Sequence, residues 1–193
     1  MKFIGVYDYT VILTYMSLVS AVAGMFLSSN ARFTPAVICL VICGICDAFD
    51  GTVARSKKDR TQDEKAFGIQ IDSLCDAVSF GVFPALLCYH LGMKGIVGMM
   101  ILCLYCLCGV IRLGFFNVCE AQRQQTEGGC NRVYRGLPIT TASMILPLVY
   151  MARNLMPHGM LPQVLSLVMA AMAFLFVLDV SVKKLDVSGL LAR

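Results

Sequence analysis

Stretches of nearly twenty apolar residues recur along this chain, separated by short polar turns. A bilayer span needs roughly 20 mostly apolar residues, within a range of about 17–25. Runs of that length leave few folds open. The 193 residues are 58% hydrophobic, contain no Trp and have a mean hydropathy of +0.76, too high for a soluble domain. A soluble helical bundle with an apolar core is the rival reading, and the length of the runs weighs against it. The sequence therefore predicts an all-α integral membrane fold, a bundle of six transmembrane helices. It is expected to form one membrane-embedded domain over residues 1–193, with no room for a sizeable soluble domain.

The predicted helices cover about 9–28, 35–55, 66–91, 94–118, 137–153 and 162–182. Pro35 suits the first turn of the second. A polar loop rich in Gln, Gly and Arg runs from Glu120 to Arg135. Lys2 and the Ala21-Val22-Ala23 triplet resemble a signal cleavage site, yet the apolar run continues through Leu27, so an uncleaved first span is expected. There is no internal repeat. Most of the ten Cys lie in apolar segments and read as small hydrophobes. Cys103, Cys106 and Cys108 are close together, but no His or carboxylate joins them, which favours packing over a metal or disulfide role.

Cytoplasmic loops of membrane proteins carry an excess of Lys and Arg. With six spans, both termini share a side with the second-to-third and fourth-to-fifth connections. That side carries Lys2, Arg55, Lys57, Lys58, Arg60, Lys65, Arg123, Arg132, Arg135, Lys183, Lys184 and Arg193. The other side carries only Arg32, Lys94 and Arg153. A multi-pass protein with both termini facing the cytoplasm is expected. The net charge of +4 says little by itself, its placement says more, and no nucleic-acid partner is expected.

Four carboxylates stand out against the apolar background: Asp47, Asp50, Asp72 and Asp76. Acidic side chains at membrane depth are costly and mark function. Asp47 and Asp50 are spaced i,i+3, and Asp72 and Asp76 are spaced i,i+4, so on helices each pair projects from one face. Two such helices meeting at the cytoplasmic interface would converge four carboxylates on a divalent cation. Gly51 allows close approach of a ligand to the backbone. Ion pairing with Arg55 or Lys65 is the structural alternative, but four acids outnumber the nearby cations, and an unpaired buried charge is expensive. Most of the Ser56–Lys65 charges read as a solvated loop that sets topology. Arg112, inside an apolar helix, suits either a buried ion pair or the binding of a phosphate or carboxylate. Asn117 suits a substrate contact or a helix-end hydrogen bond. His90 lies toward the opposite face, as does His158, and both read as interfacial.

Asp47-x-x-Asp50-Gly51-x-x-Ala54-Arg55, followed by Gly68-x-x-x-Asp72-x-x-x-Asp76, resembles the signature of the CDP-alcohol phosphatidyltransferases. Twelve residues separate Arg55 from Gly68, where the family pattern has about eight; extra interfacial loop is cheap. Two further stretches, Ile111 to Val118 and Tyr134-Arg135-Gly136-Leu137-Pro138, are similar to segments of the serine-using subgroup, as is Gln70 to Gly81. Phe115 stands where the subgroup has a second Arg.

The resemblance implies a six-helix membrane bundle, usually a homodimer, in which an alcohol attacks the β-phosphate of a CDP-linked lipid and CMP leaves. It implies CDP-diacylglycerol as donor, L-serine as acceptor, membrane lipids as surroundings and Mg²⁺ or Mn²⁺ as cofactor. Asp47, Asp50, Asp72 and Asp76 would hold the metal, with Asp76 also the base. Asp47, Gly51, Ala54, Arg55 and Gly68 would bind the CDP-lipid. Arg112, Asn117 and Arg135 would hold the acceptor or a phosphate. The residue types suit this chemistry independently: a pyrophosphate needs its charge neutralised, an attacking hydroxyl needs a base, and Arg pairs with phosphate oxygens. Glycerol phosphate or inositol phosphate as acceptor, or an archaeal lipid donor, remain open alternatives. A small cation transporter is the rival from another class. Against it, all four acids sit at one end, and no second acidic site continues across the membrane.

Overall fold

The computed structural model describes residues 5–56, 61–125, 133–135, 137–157, 159–179 and 181–183. Lys2, Lys57, Lys58, Arg60, Arg132, His158, Lys184 and Arg193, invoked above, lie outside them. Among the described residues the chain forms six helical segments, one for each predicted span. These are α1 (Tyr9–Ser29), α2 (Phe33–Ser56), α3 (Gln62–His90), α4 (Ile96–Gln125), α5 (Ala142–Met151) and α6 (Leu161–Val177). Four of these segments, α1 to α4, are long and apolar enough to cross a membrane. α5 is extended by 3₁₀ turns at Ile139–Thr141 and Ala152–Leu155. Counting those turns, its rise is about 29 Å, close to one hydrocarbon thickness. α6, with 17 residues, stands at the lower edge of the spanning range.

Several boundaries differ from the sequence expectation. α3 starts four residues early because Thr61 and Glu64 form a capping box. The Thr61 hydroxyl accepts from the Glu64 amide at 3.1 Å, and the Glu64 carboxylate accepts from the Thr61 amide at 2.8 Å. Asp72 and Asp76 therefore lie about three to four turns into their helix rather than in its first turns. α4 continues past Val118 to Gln125, because Glu, Ala, Gln and Arg sustain a helix outside an apolar run. α6 stops at Val177, where Leu178 turns extended. Beyond it, β2 (Ser181–Lys183) pairs antiparallel with β1 (Val133–Arg135), in the register Val133↔Lys183 and Arg135↔Ser181. The predicted polar loop thus holds a short strand that the sequence reading did not include.

Packing is governed by small residues. α1 buries Thr10, Val11, Thr14, Ser17, Ala21, Gly24 and Ser28 at three- and four-residue spacing. Its large apolar side chains, among them Met16, Val19 and Phe26, face outward. Lipid supplies no hydrophobic force between helices, so association depends on close backbone approach and on hydrogen bonds. A Cβ on Gly24 would collide with the Phe83 ring, and one on Gly44 with Ser143. Ser20 Oγ donates to the Cys39 carbonyl at 3.0 Å, and Cys43 Sγ to the Ser17 carbonyl at 3.3 Å, joining α1 to α2. Ser17 Oγ donates to Ser79 Oγ at 3.3 Å, joining α1 to α3. At the other end of the bundle, Ser28 Oγ donates to the Met25 carbonyl and meets His90 Nδ1 at 3.1 Å.

α3 is not a uniform α-helix. A π-turn occupies Ala77–Val82, directly after Asp76. Pro84 follows and has no amide for the Phe80 carbonyl four residues back. Tyr105 of α4 donates its hydroxyl to that carbonyl at 2.6 Å. In lipid such a freed backbone group must find a donor within the protein.

The α1–α2 turn is a Schellman motif. The Arg32 amide bonds the Leu27 carbonyl at 2.9 Å, and the Ala31 amide bonds that of Ser28 at 3.0 Å. Ala31 takes the left-handed position, with φ +57°, where glycine fits without Cβ strain. Ala31→Gly is expected to stabilise the protein by up to about 1 kcal/mol, raising the thermal midpoint in detergent by about 2–4 °C. A lowered midpoint would contradict that strain.

Candidate active site

α1 forms the common wall of the site. α2 packs along α1 and against α5, and α3 also packs on α1. Over Gln62–Asp76 the expected direct pairing of α2 with α3 is thus mediated largely by α1, whereas the π-turn and the stretch after it pack on α2 directly. From α2 come Asp47 and Asp50, and from α3 comes Asp72. One carboxylate oxygen from each lies within 4.8 Å of the other two. All three side chains are half-buried. The carboxyls of Asp50 and Asp72 stand at hydrogen-bonding distance, an arrangement that needs a shared proton or a cation between them.

One atom tests whether a cation fits. Asp72 Oδ1 is buried and has no hydrogen-bond partner. A buried carboxylate oxygen without a partner is expensive. Three convergent carboxylates with one such oxygen match the oxygen-rich shell that a divalent cation takes. Asp47, Asp50 and Asp72 thus form an acidic group that could hold a metal ion.

Asp76 stands outside that three-carboxylate cluster, one helical turn beyond Asp72. It interacts electrostatically with Asp72, Asp47 and Asp50, and with Arg112 of α4. Arg112 is only 9% exposed. A cation thus reaches the inner edge of the acidic group from a third helix. Asn117, one to two turns further along α4, accepts a hydrogen bond from Ser73 at 2.7 Å. That bond ties α4 to α3 between Asp72 and Asp76. Gly51 is half-buried, and its backbone bonds the Asp50 carboxylate; Gly68 is half-buried one turn before Asp72. Lys65, the suggested ion-pair partner, is exposed about two turns short of Asp72. Phe115 is 51% exposed, on a face of α4 turned away from the bundle. The side chains of Ala54, Arg55 and Arg135 lie outside the described residues.

Two residues near the site were given no role by the sequence. Ser73 lies between the two acids of α3, and its position there was the available signal. Tyr105 is 0% exposed and carries the hydroxyl that caps Phe80. A phenol inside an apolar helix needs a buried partner, but nothing in the sequence names that partner.

A family model described as CDP-alcohol phosphatidyltransferase matches residues 9–181, a stretch that contains all four acids. The chain belongs to the CDP-alcohol phosphatidyltransferase family. Within this transferase family it is 37% identical over 117 residues to the CDP-diacylglycerol–serine O-phosphatidyltransferase of Saccharomyces cerevisiae, covering 59% of this chain and 41% of that protein. It is 33% identical over 141 residues to the archaetidylserine synthase of Methanothermobacter thermautotrophicus, covering 72% of this chain and 56% of that protein. It is 32% identical over 143 residues to the CDP-diacylglycerol–serine O-phosphatidyltransferase of Helicobacter pylori strain 26695, covering 73% and 56%. The chain spans about half the length of these curated relatives. No solved structure matches it significantly.

Proposed function

We propose that this member of the transferase family moves a phosphatidyl group from CDP-diacylglycerol to L-serine, forming phosphatidylserine and releasing CMP. The observation that carries the proposal is the convergence of Asp47, Asp50 and Asp72 around an unpartnered Asp72 oxygen, with Asp76 one turn deeper. The serine hydroxyl oxygen attacks the β-phosphorus of the donor. The bond from that phosphorus to the bridging oxygen breaks, and the oxygen leaves on CMP. The hydroxyl proton passes to the Asp76 carboxylate. Mg²⁺ or Mn²⁺, held by Asp47, Asp50 and Asp72 with Asp76 at its edge, would neutralise the diphosphate and the developing charge on CMP. Gly51 of α2 and Gly68 of α3 would leave room for the nucleotide beside the backbone, and the family resemblance adds Ala54 and Arg55 to the CDP-lipid contacts. Arg112 and Asn117 would line the acceptor side, and the family resemblance adds Arg135 to them. Arg112 lies where it can hold a carboxylate or phosphate beside Asp76, while the Ser73 bond gives Asn117 an additional anchoring part.

Serine as acceptor is supported by the names of the relatives from yeast and Helicobacter pylori, and the archaeal relative supports a second donor, a CDP-linked archaeol with the same acceptor. The proposal takes the chain as a single multi-pass membrane domain working as a homodimer, with the site and both termini on the cytoplasmic side. The skew of Lys and Arg supports that orientation. The deciding experiment is CMP release in detergent micelles with CDP-diacylglycerol, comparing L-serine with glycerol 3-phosphate and inositol phosphate. CMP release with serine alone is the expected result. Release only with another alcohol would move the assignment within the family, and release with none would refute it.

Arg112→Lys keeps the charge and loses the planar fork. The serine KM is expected to rise about tenfold, the loss of one charge-assisted hydrogen bond, with donor affinity unchanged. Unaltered kinetics would reduce Arg112 to an ion-pair partner of Asp76.

A further inference from the structure

α4 grips α3 on both sides of Asp76. On one side, Ser73 Oγ donates to Asn117 Oδ1 at 2.7 Å. On the other, Tyr105 donates to the Phe80 carbonyl at 2.6 Å, and Cys106 Sγ meets the Gly81 carbonyl at 3.5 Å. These last two contacts fall on the π-turn Ala77–Val82. A π-turn adds one residue to the helical count, so the stretches before and after it are offset by about 100° relative to a continuous α-helix. That offset lets α3 turn Asp72 and Asp76 toward the acidic group while Phe83 and Leu87 enter the core.

The offset persists only while the carbonyls it frees have donors. Pro84 gives Phe80 none. Tyr105, fully buried, is placed to supply it. We propose that Tyr105 is a positioning residue, which locks the π-turn through the Phe80 carbonyl and thereby sets the direction of Asp76. The inference rests on the role given to Asp76 above. Tyr105 touches neither the acids nor any atom that reacts; it acts through the backbone of α3.

The test is Tyr105→Phe in the full chain in detergent micelles, which keeps the ring and removes the hydroxyl. With serine and CDP-diacylglycerol, kcat is expected to fall about tenfold, the scale of one orphaned buried carbonyl. The KM for the lipid donor and the Mn²⁺ affinity should hold, and amide exchange across 77–84 should rise. A kcat within about twofold of the wild type would overturn the proposal. So would a parallel decline of kcat, donor affinity and Mn²⁺ affinity, which marks a general loss of folded protein. If Tyr105→Phe does not fold, Pro84→Ala combined with Tyr105→Phe restores an amide to the Phe80 carbonyl. A folded double variant with low kcat supports the positioning role, and one with wild-type kcat overturns it. If the wild type itself releases no CMP, the proposed reaction fails separately. Exchange at 77–84 then decides this point, and unchanged protection in Tyr105→Phe rejects it.

Discussion

Asp76→Asn will lower transfer to serine by about 10²-fold or more while leaving CDP-diacylglycerol bound. The substitution keeps the size of the side chain and removes its basicity. In the proposed reaction the serine hydroxyl must lose a proton as it attacks; no His or Tyr lies between Asp47 and Asp76, and the thiol there that neighbours Asp76, Cys75, is only 2% exposed. His90 is on the same helix but contacts Ser28, about 21 Å from Asp76 along the axis. Asp76 is the acid that stands outside the tight cluster, which suits the base role proposed for it, and Arg112 of α4 interacts with it electrostatically. Asp47→Asn is the contrast. It removes a member of the cluster and should weaken donor binding itself, through the metal. Equilibrium binding of the CDP-lipid alongside single-turnover CMP release separates the two variants. Near-normal turnover of Asp76→Asn at saturating serine would falsify its assignment as the base.

Divalent cations will stabilise the wild-type protein strongly and Asp72→Asn hardly at all. A ligand that binds only the folded state adds about 2.7 kcal/mol at a hundredfold excess over its Kd. Asp72 contributes the buried oxygen without a partner, so the metal's contribution is concentrated there. In the metal-free protein the sign reverses. Asp72→Asn removes one of three mutually repelling carboxylates, so the stripped variant should unfold at a higher temperature than the stripped wild type. Thermal midpoints with EDTA and with Mn²⁺ give both comparisons, and chelation should also abolish CMP release. Equal Mn²⁺ shifts in the two proteins would remove Asp72 from the metal site.

Much of this site was legible because helical spacing leaves a direct trace. Asp47 and Asp50 three apart, and Asp72 and Asp76 four apart, stood out against apolar surroundings, and three of them do converge. The helix order followed from run length alone. The start of α3 was also readable, since Thr61-x-x-Glu64 has the form of a capping box, but the surrounding charges suggested a loop. The π-turn was not readable. An i,i+5 bond has no residue signature, and Pro84 in an apolar run only hints that a carbonyl upstream lacks its amide. That Asp72 joins the tight three-carboxylate cluster while Asp76 does not was equally hidden, because the spacing places both on one face. The β1–β2 pairing is three residues long, too short to rise above the loop composition around it.

The inward Ser, Gly and Cys residues and the outward Met, Val and Phe of this bundle also bear on its calorimetry. In a soluble protein, heat capacity rises on unfolding because apolar surface meets water, by about 12–15 cal/mol/K per residue. Here the large apolar side chains of α1, such as Phe26 at 67% exposure, already meet lipid or detergent in the folded state. Pulling the helices apart inside a micelle wets little new hydrocarbon. The heat-capacity step should therefore be small and the stability curve nearly straight, so that cooling never loosens the acidic site as it would a water-driven core.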